Sequence, residues 1–234
     1  MPEDDASSRF LLLSVPPGPV PAGGFPLVLL IPDADGPGPR TETYAARLLA
    51  NGFVVAEAYL GHDALGTFLP DLMATIASDA RLDAGRIAAV ALGAGARMAL
   101  REWASGVPVA ALALLYPGCD TELVEVARHA TPATPGTAML LLHGATDDAN
   151  PQEACAALAD ALSGAARPIH HVLPGATYAW DATHLVAAGA ALRALHPAAP
   201  DGPRVLARPD AAATLVAADR VITFLTAMPR QASR

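Results

Sequence analysis

Seven short runs of nearly unbroken apolar residues recur along this chain, most of them separated by helix-patterned segments. No other feature of the sequence restricts the fold as much. The runs are RFLLLSV (9–15), FPLVLLIP (25–32), FVVAEAYL (53–60), RIAAVALG (86–93), VAALALLYPG (109–118), AMLLLHG (138–144) and RPIHHVLPG (167–175). Between them, TETYAARLLANG (41–52) places apolar residues at helical spacing and stops at Asn51-Gly52. LPDLMATIASDARL (69–82), ARMALREWAS (96–105) and NPQEACAALADAL (150–162) also read as helices, the last with Pro151 near its first turn. DAAATLVAADRVITFLTAM (210–228) closes the pattern as a helix, and the turn-rich PPGPVPAGG (16–24) separates the first two strands. Strands alternating with helices predict βαβ units and a mostly parallel sheet with helices on both faces. Ligands of such sheets meet the carboxyl ends of the strands. No internal repeat is visible, and 1–234 is expected to form a single α/β domain, with the Pro/Ala/Gly-rich stretch 187–205 an irregular excursion before the last helix.

Composition removes several function classes. No apolar run reaches the roughly 20 residues that span a bilayer, and MPEDDASSRF at the start is acidic where a signal peptide is basic. A soluble, cytoplasmic protein without membrane contact is expected. All 15 basic residues are arginine, scattered through a chain of net charge −8, so no nucleic-acid partner is indicated. Cys119 and Cys155 are too few and too far apart to suggest a metal site or a disulfide framework. No cofactor is called for.

The segment RIAAVALGAGARMAL (86–100) carries the main chemical question. A strand, a glycine turn and a helix form the setting in which many enzymes hold a nucleophile, yet the turn offers no serine, cysteine or aspartate. It reads as an elbow that has lost its nucleophile, as a phosphate-binding glycine loop, or as a tight turn. Gly93 and Gly95 imitate the start of a dinucleotide fingerprint, but Met98 stands where a small residue is needed. Asp120, at 27 positions beyond Gly93, is far along for the ribose-binding acid of that motif, and strands precede the turn.

Three strand ends taken together resemble one family. RIAAVALGAGARMAL resembles the nucleophile elbow of an α/β-hydrolase, LLLHGATDDANP the segment that carries the acid of the triad, and VLPGATYAWD the late loop that carries the histidine. Their chain order is that of α/β-hydrolases. LVLLIPDADG, YAARLLANGFVVAEAYL and LLYPGC resemble the dienelactone hydrolase branch, and the resemblance covers nearly all of 25–228. It implies an α/β-hydrolase fold. It places the nucleophile position on Gly93, the acid position on Asp147 and the histidine position on Tyr178, so one triad type of three is kept.

Glycine has no side chain to attack with, and a phenol of pKa near 10 is a poor base at neutral pH. The expectation is therefore a protein that binds a small molecule, such as a carbonyl or carboxylate compound, without ordinary ester hydrolysis. Helix N–H groups beginning at Ala94, the space left by Gly93, and the loop residues Asp33 and Ala34 are candidates for ligand contact. Asp33 matches an acidic family position, Cys119 lies at a strand end, and Trp180 packs elsewhere or walls the pocket. Asp147 and Tyr178 are expected to hydrogen-bond to each other. His143 reads as structural; of His170 and His171, alternating along one strand, at most one faces inward. The alternative is an active hydrolase or lyase using displaced groups, with Cys119 as nucleophile or His184 as base.

Overall fold

The computed structural model describes residues 10–36, 38–59, 78–134, 136–187, 190–199 and 201–228. Of the helix expected over 69–82, residues 69–77 lie outside the described residues; 78–81 form a turn instead and Leu82 begins a strand. Seven strands form one sheet: β1 (Phe10–Ser14), β2 (Phe25–Ile31), β3 (Val54–Tyr59), β4 (Leu82–Leu92), β5 (Ala111–Leu115), β6 (Thr137–Gly144) and β7 (Ala166–Leu173). Their spatial order is β1-β3-β2-β4-β5-β6-β7. Only the β1–β3 pair is antiparallel; the other five pairings are parallel. The helices are α1 (Pro39–Ala50), α2 (Gly93–Ala104), α3 (Thr121–Arg128), α4 (Gln152–Leu162) and α5 (Ala211–Thr226).

The unbroken apolar runs follow from burial on both faces. Every residue of β2 and β5 is buried, because side chains of odd and even positions enter different cores. Leu27, Leu29 and Ile31 join Leu100, Trp103, Leu123 and Leu158 on the face covered by α2, α3 and α4. Val28 and Leu30 join Tyr44, Leu48, Ala217 and Val221 on the face covered by α1 and α5. The edge strand β7 has a mixed burial pattern instead, and Ile169 is 46% exposed on it. Local chemistry sets the helix starts: Pro39 opens α1, while Asp120 accepts from Leu123 N at 2.9 Å and Asp210 from Ala212 N at 2.8 Å.

Two expectations are corrected. The stretch 187–205 is not irregular throughout: β8 (Leu192–Ala194) pairs antiparallel with β9 (Val205–Ala207) in a separate two-stranded ladder. Cys119 and Cys155 form a disulfide. Counting cysteines missed it because α4 lies beside the β5–α3 loop only in the folded chain. Asn150 reinforces the junction, its Oδ1 accepting from Gly118 N at 2.7 Å and Cys119 N at 3.2 Å.

The bond closes a sequence separation of 36 residues, for which loop entropy predicts about 3–4 kcal/mol of stabilisation. The expected result is that protein denatured without reductant exposes no thiol to a maleimide probe. The Cys119→Ala/Cys155→Ala variant should unfold at lower denaturant, with a loss of about 3 kcal/mol.

Candidate functional site

Strand β4 hands the chain to α2 through Gly93, whose φ is +51°. A non-glycine side chain is strained there but not excluded. Space is the second constraint. A Cβ at Gly93 would sit 2.1 Å from Asp33 Oδ1 and 2.2 Å from Asp33 Cγ. The room that Gly93 was expected to leave for a ligand is taken by the chain's own carboxylate.

Asp33 follows β2, and its neighbours explain why it stays there. Oδ1 accepts from Ala94 N at 2.8 Å and from Ala34 N at 2.7 Å. Oδ2 accepts from the Tyr178 hydroxyl at 2.6 Å and from Arg40 Nη2 at 3.1 Å. The Ala94 amide belongs to the first turn of α2, where free N–H groups and the helix dipole favour an anion. Four donors thus saturate a carboxylate that is only 6% exposed.

Arg40, near the start of α1, is the counter-charge. Its Nη1 donates to both oxygens of Asp35 at 2.8 and 3.0 Å, its Nε to Asp181 Oδ1 at 3.0 Å, and its Nη2 also to Tyr116 Oη at 3.0 Å. Every guanidinium nitrogen is therefore engaged. Asp181 Oδ2 accepts from the Tyr116 hydroxyl, and from the Tyr44 hydroxyl at 3.2 Å. Burial pushes the Asp181 carboxyl up against the opposing pull of Arg40 and the Tyr116 bond. Burial likewise holds the Tyr178, Tyr116 and Tyr44 hydroxyls well above the ordinary tyrosine range. Tyr178 is thus a fixed donor and not a base at neutral pH.

The remaining expected residues separate into those at this carboxylate and those elsewhere. Ala34 and Ala94 reach it through their amides. Asp147 does not bond Tyr178, which corrects that expectation: its Oδ1 accepts from Ala149 N and its Oδ2 from Asn150 Nδ2, each at 2.9 Å. The Asx-type turn is shorter than the reach to Tyr178, so the local partner wins. Burial pushes the Asp147 carboxyl up to about 7. Trp180 is fully buried, donating from Nε1 to Tyr44 Oη at 3.2 Å and meeting Tyr116 edge-on at 4.6 Å. Cys119 is tied to Cys155 and is not a free thiol. His184 is exposed. His143 bonds Gly144 O at 3.0 Å and His170 Nε2 at 2.8 Å within the fold. His170 and His171 are both partly buried, on opposite faces of β7.

The glycine pair leaves no space for a pyrophosphate. A Cβ at Gly95 would lie 2.1 Å from Pro32 O, so that glycine serves close packing of α2 on the β2 loop. The helix N-terminus is already occupied by Asp33. Among the described residues no cluster of three or more His, Cys, Asp or Glu has the arrangement to hold a metal ion. No described helix is long and apolar enough to cross a membrane.

Beside Asp33 lies a cleft of about 180 Å³ that also touches Asp35, Arg40, Leu185, Arg193 and Arg204. Sequence reading missed Arg40, Tyr116 and Asp181, although each stands in or beside a quoted motif: Arg40 just after IPDADG, Tyr116 within LLYPGC and Asp181 at the end of VLPGATYAWD. Nothing in the order of residues tells that these three motifs meet.

No protein-family model and no curated protein matches the chain. Solved structures do. A putative dienelactone hydrolase from Klebsiella pneumoniae superposes with a TM-score of 0.66 at 18% identity, over 94% of this chain and 99% of that one. The dienelactone hydrolase-like promiscuous phosphotriesterase P91, from metagenomic libraries, gives 0.64 at 18% identity, over 89% and 88% of the two chains. Apo esterase 2 of Thermogutta terrifontis gives 0.68 at 16% identity, over 98% and 93%. At these identities the likeness establishes the fold: the chain adopts the α/β-hydrolase fold.

Two outcomes follow from the geometry. Asp33→Ala removes the acceptor of two amides, a phenol and a guanidinium; chemical denaturation should show a loss of about 3 kcal/mol, and Asp33→Asn a smaller one. For Asp147 the folded carboxyl, at about 7, keeps a proton that the unfolded chain has released. Its contribution to stability is therefore full below the unfolded pKa near 3.9 and is lost as pH rises to about 7. Melting curves at stepped pH should show Asp147→Asn with a flatter pH dependence than the natural protein between pH 4 and 7.

Proposed function

We propose that this protein is a dienelactone hydrolase-like, non-hydrolytic member of the α/β-hydrolase fold that binds a small molecule in the cleft beside Asp33. The supporting observation is the position of the Asp33 carboxylate, within 2.1 Å of where a Cβ at Gly93 would lie. By resemblance Gly93 stands at the nucleophile position, and Tyr178 stands at the histidine position.

The reading is chemical. In this fold the oxyanion hole consists of the N–H after the nucleophile and an N–H from the loop after an early strand. The corresponding groups here are Ala94 N–H and Ala34 N–H, and both already bond Asp33 Oδ1. A substrate carbonyl would have to displace a carboxylate that Arg40 and Tyr178 hold by its other oxygen. Asp33 does not replace the nucleophile, because an anion bound by four donors is a poor attacking group and no described histidine stands by to assist it. Loss of nucleophile or histidine costs serine hydrolases about 10⁶ in turnover.

The displaced-group alternative is not favoured, since Cys119 is in a disulfide and the base position carries a phenol that remains protonated.

Ester and lactone hydrolysis by four proteins tests the proposal. The natural protein should give no turnover above buffer. Gly93→Ser/Tyr178→His should also stay silent, because the new side chain meets Asp33. Adding Asp33→Ala to that pair should raise turnover at least tenfold over the double variant, with circular dichroism verifying the fold. Turnover by the natural protein that Asp33→Asn abolishes would overturn the non-hydrolytic reading.

A further inference from the structure

The sheet ends at β7, and helix α5 overhangs that edge. Ala217, Ala218, Val221 and Leu225 of α5 are buried on the sheet. Val216, Arg220 and Phe224 follow one another at four-residue spacing and form the neighbouring stripe of the same helix. With Ile169 and His171 of β7, and Leu140 of β6 paired to Ile169, that stripe lines a groove of about 320 Å³. Among the described residues no strand lies beyond β7 to cover it, and Ile169 and Val216 are 46% and 45% exposed. The groove shares no lining residue with the cleft beside Asp33.

Its lining is apolar apart from a few groups, and two of these lack partners. His171 Nδ1 is buried and has no hydrogen-bond partner among the described residues, a state that buried polar atoms rarely keep. Burial and the nearby Arg220 cation push the imidazole below the ordinary histidine range, so near pH 7 the ring is neutral and carries one N–H. Arg220 makes no hydrogen bond or ion pair with any described residue. Asp219, the acid at the rim, is paired instead with Arg47 at 3.0 Å. A guanidinium without a counter-charge beside an unpartnered ring nitrogen suits an acceptor with two oxygens and one negative charge.

The strand itself discourages a protein partner. A free edge ordinarily invites another strand, but Pro168 supplies no N–H to a ladder and the neighbouring Arg167 is exposed. A small amphipathic molecule meets neither obstacle. The groove has roughly twice the 150 Å³ of a cavity that accepts benzene, room for an unbranched chain of about eight carbons. We infer that this groove is a second ligand site, taking an aliphatic monocarboxylate whose chain lies against Leu140, Ile169, Val216 and Phe224 and whose carboxylate is held by Arg220 and His171 Nδ1. The site is separate from the cleft beside Asp33 and does not depend on how that cleft is used.

Titration calorimetry tests it with octanoate, 1-octanol as the uncharged counterpart and octyl phosphate as a second anion. Octanoate should bind the natural protein, and 1-octanol at least tenfold more weakly. Arg220→Gln should weaken octanoate at least fivefold and leave 1-octanol unchanged. His171→Phe keeps a ring, removes Nδ1 and should weaken octanoate at least threefold. Val216→Trp fills the groove and should abolish the heat from both; the position is half exposed, and circular dichroism verifies the fold. Octanoate binding that none of these variants alters would overturn the site. Equal affinity for octanoate and 1-octanol would overturn the roles of Arg220 and His171, and tighter binding of octyl phosphate would overturn the carboxylate class. Absence of heat at millimolar octanoate would overturn the inference, and a dimer in sedimentation velocity that Ile169→Asp dissociates would then give the groove to a second copy. Ester turnover bears only on the Asp33 cleft, so failure there is distinguishable from failure here.

Discussion

A buried guanidinium organises this structure. Taking the Arg40 charge out of water costs several kcal/mol unless its donors find acidic partners. Asp33 and Asp35 arrive from the loop after β2, Asp181 from the loop after β7, and the Tyr116 hydroxyl from the end of β5. One cation thereby ties together three loops that emerge at the carboxyl ends of the parallel strands. Removing any one acid would leave a buried charge short of a partner, so the loops hold one another in place.

That arrangement fixes the chemistry at Gly93. Held by Arg40 and Tyr178 through Oδ2, Asp33 presents Oδ1 to the first turn of α2. The amides that could stabilise an external anion are then satisfied from within. Backbone strain falls in the same region: Tyr116 has φ +40° and Ala179 has φ +50°, a conformation that costs non-glycine residues of order 1–3 kcal/mol. Tyr116 keeps it because its ring is wedged edge-on against Tyr178 at 5.1 Å and Trp180 at 4.6 Å, with its hydroxyl on Asp181. The acid loop is secured separately, since Asn150 links Asp147 to the backbone beside the Cys119–Cys155 bond.

Most of the fold was legible because its signals are local. A fully buried strand needs apolar residues at every position, and β2 and β5 have them. Helix ends carry their own marks in Pro39, Asn51, Asp120 and Asp210. The ladder of β8 and β9 was not legible, since three-residue strands carry no period long enough to recognise. At the site, Asp33, Asp147 and Tyr178 were identified by type and order, but their partners were not. A hydrogen bond between residues 145 positions apart, such as that from Tyr178 to Asp33, leaves no trace in the spacing of either. The cysteine pair was missed for the same reason.

The sequence by itself determined the alternation of strands and helices, the strand–turn–helix at Gly93, and the absence of a nucleophilic side chain in that turn. Those follow from residue types and from periods of 2 and 3.6. Only the tertiary structure decided that the vacated space belongs to Asp33, that Arg40 compels it to stay, and that Tyr178 donates to the same carboxylate. Each of these depends on the parallel sheet placing loops from distant parts of the chain at one edge. Burial then makes every charge brought there find a partner.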